Sequence, residues 1–109
     1  MCVHFDAAGV LIFCGAEGHA GAAPAGSDIV CASVSTLMRT MARVITGRLG
    51  IEVSFSVPER GRLQINACYN EQGKDFLFAA GIFLFEGLKS LAEEYPEYCT
   101  LNAVHAQAD

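Results

Sequence analysis

Val3 and Phe5 alternate with Cys2, His4 and Asp6, a turn signal follows at Ala7-Ala8-Gly9, and Val10 to Cys14 is a short apolar run. This pattern predicts a β-hairpin at the start of the chain. The stretch 15–27 has no hydrophobic period and carries Gly15, Gly18, Gly21, Pro24 and Gly26 among alanines, so it reads as a long loop. Val34, Leu37, Met41, Val44 and Ile45 then recur at helical spacing. They predict a helix from about Ile29 to Arg48, with Ser27 or Asp28 as N-cap and Gly47 or Gly50 as the stop.

A second hairpin follows. Ile51, Val53, Phe55 and Val57 alternate with polar residues, Pro58-Glu59-Arg60-Gly61 turns the chain, and Leu63, Ile65, Ala67 and Tyr69 alternate again. Each strand has one apolar face, as an antiparallel sheet solvated on one side requires. Residues 74–94 predict a second helix, opened by Asp75 near its positive end and followed by Pro96. Phe76, Leu77, Phe78, Ile82, Phe83, Leu84, Phe85, Leu88 and Leu91 spread over more than the single stripe a surface helix needs. The surplus apolar surface predicts a homodimer interface, in preference to a fully buried helix in a monomer. The tail beyond Cys99 is expected to be loosely held. The predicted architecture is α+β, in the order β-β-α-β-β-α. The two hairpins form one antiparallel sheet, and both helices pack on one face of it in a single domain spanning 1–109.

Length and composition agree with one globular domain: 109 residues, 52% of them apolar. A net charge of −5 with no basic patch argues against nucleic acid and weakly favours a basic protein or peptide partner. The longest apolar run, Phe76 to Phe85, is ten residues, too short for a bilayer, so no membrane partner is expected. No secretory signal pattern is visible at the N-terminus. The five cysteines are irregularly spaced with no Cys-x-x-Cys pair, which argues against a disulfide framework or zinc ribbon and fits a reducing, cytoplasmic location.

The candidate chemistry lies at Gly18-His19-Ala20 and at Gly26-Ser27-Asp28-Ile29-Val30-Cys31-Ala32-Ser33-Val34-Ser35. A thiol becomes a nucleophile when a base is near and the local field favours thiolate. Cys31 is predicted in the first turn of a helix, whose unpaired amides favour negative charge and could also hold an acyl oxyanion. His19, flanked by small residues, is the candidate base. The bland alternatives are a buried inert cysteine and a solvated loop histidine. Asp28 reads as a helix cap or as an orienter of His19, and its charge beside a thiolate favours the cap. Ser35, one turn beyond Cys31, either hydrogen-bonds near the sulfur or bonds back to its own helix. His4 and His105 lack such context. A metal site drawn from His4, Cys14, His19 and Cys31 fits no compact zinc spacing, so neither metal nor cofactor is expected.

These two blocks, with His19 and Cys31 twelve positions apart, resemble the signature of the Prp family of bacterial ribosomal-processing cysteine proteases. The resemblance extends over nearly the whole chain, because the order of elements also matches. It implies a cysteine endopeptidase that removes a short N-terminal extension from the precursor of large-subunit ribosomal protein twenty-seven. Cys31 would be the nucleophile and His19 the general base. Gly18, Asp28 and Ser35 fall on motif positions and would support the site, and a homodimer is implied. The loop after His19, Ala20-Gly21-Ala22-Ala23-Pro24-Ala25, lacks the aromatic or charged residue that relatives often carry, which bears on substrate preference. The competing reading is a non-catalytic module of the same fold that grips a ribosomal protein.

Overall fold

A computed structural model describes residues 1–18 and 25–107 of the chain, with backbone alone for 25–27. Five strands and two helices follow in the order β1 (Cys2–Phe5), β2 (Leu11–Glu17), α1 (Ala25–Ile45), β3 (Ile51–Ser56), β4 (Arg62–Tyr69), α2 (Lys74–Glu94) and β5 (Asn102–His105). The sheet order is β3-β4-β2-β1-β5. The two predicted hairpins are present, and they join through an antiparallel pairing of β2 with β4. Both helices lie on one face, α1 against β3 and β4, α2 against β2, and they pack on each other.

Alternation explains which residues form the core. Val3, Phe5, Leu11, Cys14, Ile51, Ile65 and Ala67 point from the sheet toward the helices and are buried. From α1 they meet Val30, Val34, Met38, Met41 and Ile45, spaced by three and four, and from α2 Leu77, Leu84 and Leu88. The β1–β2 register shifts between His4 and Phe5, so Phe13 faces His4 while Leu11 faces Phe5. That extra residue keeps both Leu11 and Cys14 on the core side. Gly81 lets α2 sit close to the sheet, since a Cβ there would stand 2.7 Å from the Leu11 Cβ.

Three expectations are corrected. The tail is not loose: β5 pairs in parallel with β1, making the sheet mixed, and the His105 ring stacks on Phe5 at 4.7 Å with Phe85 edge-on to the same ring at 5.2 Å. The signal was a single half-strand without turn residues, and its stability comes from an edge offered by β1. The expected loop over 15–27 is shorter, because β2 continues through Gly15 and Ala16 to Glu17, paired with Gln64, Leu63 and Arg62. Finally, α1 begins at Ala25, four residues before the expected start, and ends at Ile45. Asp28 therefore sits inside the first turn and is not the N-cap. Alanine is a strong helix former, and the helix dipole favours an acid throughout the first turn as well as at the cap. At the other end Gly47, with φ +79°, takes the left-handed position that closes the helix.

Candidate active site

Cys31 lies on the second turn of α1, half-buried, and faces a groove of about 830 Å³. One wall is the row Cys31, Ser35 and Arg39 of α1, spaced by four and so on one side of the helix. The end of β2 and the β3–β4 turn form the facing wall, and the segment between α2 and β5 closes one side. Those elements are stitched together. The Gly18 amide donates to the Gly61 carbonyl at 2.7 Å, and Arg62 pairs with Glu17 and Glu59, each at 3.2 Å. These ion pairs are exposed, worth about 0–1 kcal/mol each, and serve mainly to hold the rim in register.

Gly18 stands directly against the thiol. A Cβ on Gly18 would lie 3.0 Å from the Cys31 Sγ, closer than side chains normally approach. The glycine therefore lets the backbone run beside the sulfur, immediately before His19 in the chain. His19 itself lies outside the described residues. Asp28 is exposed on the first turn of α1. Ser35 is half-buried, and its Oγ accepts a hydrogen bond from the Arg39 Nε at 3.0 Å.

Cys2 and Cys99 also line the groove, whereas Cys14 and Cys68 lie elsewhere. Burial pushes the Cys14 thiol up to about 12, which keeps it protonated in the core. Cys99 is raised by burial, with the Met1 amine opposing and the nearby charge of Cys31 adding to the rise. Cys68 is exposed on the solvent face of β4, away from the groove. His4 and His105 do not line the groove either; His4 packs on Phe13 at 4.9 Å. Among the described residues, no group of three or more His, Cys, Asp or Glu is placed to hold a metal ion.

One sequence-based expectation about the site changes. With α1 starting at Ala25, Cys31 is seven residues in, and the unpaired amides belong to Ala25–Asp28. The amide of Cys31 lies within the regular hydrogen-bonded part of the helix. The first-turn amides therefore do not surround this sulfur as an oxyanion pocket. Sequence reasoning also missed the groove's other contributors. The Pro96–Thr100 segment lines the groove, whereas the sequence marks Pro96 only as a helix stop and Arg39 only as helix surface. The i, i+4, i+8 spacing of Cys31, Ser35 and Arg39 was the signal available for Arg39.

Comparison with known proteins follows the same line. The family model described as cysteine protease Prp matches residues 2–100. No curated protein matches the chain. Among solved structures, SMU.848 from Streptococcus mutans is similar at 26% identity and TM-score 0.80, over 95% of this chain and 91% of that one. The ribosomal processing protease Prp from S. aureus, in complex with a substrate peptide, is similar at 21% identity and TM-score 0.78, over 94% of this chain and 95% of that one. The same S. aureus protease with a covalently linked product peptide gives 22% identity and TM-score 0.75, over 94% and 95% of the two chains. The fold, the groove with its half-buried thiol and the match over residues 2–100 lead to one conclusion: this chain belongs to the Prp family of cysteine proteases.

Proposed function

We propose that this protein removes a short N-terminal extension from the precursor of large-subunit ribosomal protein twenty-seven, acting in the cytoplasm as a homodimer. Cys31 is the nucleophile and His19 the general base. The observation that carries this reading is the Cys31 thiol facing a groove of about 830 Å³, with Gly18 giving it clearance. The S. aureus protease, similar in fold, was captured with a peptide bound.

The chemistry follows from the parts. His19 takes the thiol proton, and the sulfur adds to the scissile carbonyl, forming a carbon–sulfur bond as the carbonyl electron pair moves to oxygen. The tetrahedral intermediate collapses, the carbon–nitrogen bond breaks, and the imidazolium returns the proton to the leaving amine. Water, deprotonated by the same imidazole, then hydrolyses the thioester and frees the extension as an acid. Gly18 and Ser35 support the site from opposite walls. Asp28 supports it indirectly: an acid in the first turn stabilises the start of α1 by about 0.3–1 kcal/mol.

A homodimer through α2 accounts for that helix's outer surface. Phe78 is 40% exposed, Ile82 45% and Phe83 73% in the single chain, a contiguous apolar strip that a second copy would cover. A net charge of −5 favours a basic substrate, as ribosomal proteins are expected to be.

The test is a synthetic peptide spanning the precursor junction, incubated with purified protein and followed by mass spectrometry. A single cut by the parent and none by Cys31→Ala is expected. Equal cutting by both would remove Cys31 from the mechanism, and binding of the peptide without any turnover would favour the non-catalytic module.

A further inference from the structure

Two serines sit two residues apart on α1, and their hydroxyls are used differently. The Ser33 Oγ donates to the Ile29 carbonyl at 2.9 Å, the usual fate of a serine inside a helix. Among the described residues, Ser35 makes no such bond to the carbonyl of Cys31. Its oxygen instead accepts from the Arg39 Nε at 3.0 Å. A hydroxyl whose oxygen faces a fixed cation turns its proton away from that cation. Arg39 is four residues C-terminal, so the proton is turned toward the turn that carries Cys31. Side chains on a helix also lean toward its N-terminus, which sets the Ser35 oxygen over that same turn. Both residues line the groove that holds the Cys31 thiol.

Arg39 is itself held in place. Its guanidinium lies 5.3 Å from the centre of the Phe55 ring on β3, so α1 and the sheet fix it together. Among the described residues it makes no ion pair with a carboxylate. The orientation is therefore built from one hydrogen bond and one cation–π contact.

The mechanism proposed above needs a donor for the oxygen that becomes negative when sulfur adds, and the amides of the first turn of α1 are not at Cys31. We infer that Ser35 Oγ–H donates a hydrogen bond to that oxyanion and that Arg39 is the positioning residue that turns the hydroxyl toward it. This inference rests on Cys31 being the nucleophile. Ser35 keeps its proton throughout; it lends a hydrogen bond as charge develops on oxygen and withdraws it as the thioester forms. Arg39 acts through Ser35.

The test uses the intact protein, the junction peptide, and a peptide aldehyde ending at the residue before the cut. The aldehyde accepts a thiol to give a tetrahedral adduct. Ser35→Ala is expected to lower kcat by about 10²–10³-fold with KM little changed, the mark of an interaction made only in the transition state. It should weaken aldehyde binding in step, while Ser35→Ala in a Cys31→Ala background binds the uncut peptide as the single variant does. Arg39→Ala is expected to lower kcat by on the order of tenfold, the effect of one lost hydrogen bond. Arg39→Lys should recover most of it, since an ammonium can also donate to the hydroxyl. In a Ser35→Ala background, Arg39→Ala should change kcat no further.

An unchanged kcat in Ser35→Ala, or an Arg39→Ala effect that persists without Ser35, would overturn the inference while leaving Cys31 in place. Cutting by Cys31→Ala would overturn both readings together. A parent enzyme that neither cuts the peptide nor forms the aldehyde adduct would do the same.

Discussion

Gly18 and Cys31 meet across the groove, and the backbone of one sits where any side chain would press on the sulfur of the other, 3.0 Å away. The contact joins the end of β2 to the second turn of α1 and sets how close the chain before His19 comes to the thiol. Gly18→Ala should therefore lower kcat, with a displaced sulfur costing on the order of tenfold or more. Pressing a methyl against the half-buried thiol should also cost up to about 1–3 kcal/mol of thermal stability. Steady-state kinetics beside a melting curve check both; an alanine variant with full activity would show that the sulfur has room to spare.

Tyr69 and Asp6 give the fold a pH dependence with a defined sign. Tyr69 donates to one carboxylate oxygen of Asp6, while the other accepts from the Ala8 and Val10 amides at 2.9 and 3.0 Å. Burial works to raise the Asp6 carboxyl, but the Tyr69 hydroxyl, the two amides and the charge of Lys74 hold it below its ordinary 3.8. The same hydrogen bond, with burial and the Asp6 charge, raises Tyr69 from 10.0 to about 12. A lowered acid stabilises the fold above its unfolded value and loses that effect as pH falls through the folded one. A raised tyrosine stabilises below 10.0 and loses its effect as pH rises toward 12. Tyr69→Phe should cost about 1 kcal/mol at neutral pH, and its deficit relative to the parent should vanish by about pH 12. Urea unfolding across pH is the measurement, and a deficit that stays constant across this range would refute the assignment.

The approach of α2 to the sheet depends on Gly81. Alanine there gains up to about 1 kcal/mol in helix propensity but places a methyl 2.7 Å from the Leu11 Cβ, which cannot swing aside. Overpacking of this kind costs about 1–3 kcal/mol, so Gly81→Ala should be net destabilising. A melting temperature lowered by several degrees is expected; an increase would mean that α2 can rise off the sheet at little cost.

On the outward side of α2, Phe83 is the most exposed of the large apolar residues there, at 73%. Phe83→Glu should convert the proposed dimer to a monomer in sedimentation velocity without lowering helix content. A parent protein that sediments as a monomer at micromolar concentration would remove the dimer from the proposal.

Local pattern carried much of this fold. Alternation in 51–57 and 62–69 defined β3 and β4 because each strand buries one face, and a slip of one residue would expose that whole set. The apolar density of 74–94 marked α2 with its observed bounds. Boundaries dominated by alanine and glycine were not legible. Glu17 and Ala25 lie in stretches whose residues carry too little side chain to favour one state, so pairing with β4 and helix propagation decide there. β5 was invisible for a different reason: Asn102–His105 is exposed along its length and is a strand only because β1 offers it an edge.

The same division holds at the site. By itself the sequence determined which residues can do chemistry: a cysteine and a histidine in glycine-flanked, motif-like blocks, and a serine one helical turn beyond the thiol. Those are properties of residue type and short spacing, which the chain carries before it folds. Only tertiary structure decided that Arg39 reaches the Phe55 ring on β3, that Gly18 presses on Cys31, and that the segment after α2 walls the groove. Each of these joins elements far apart in the chain or depends on where α1 begins, and both are settled by packing against the sheet.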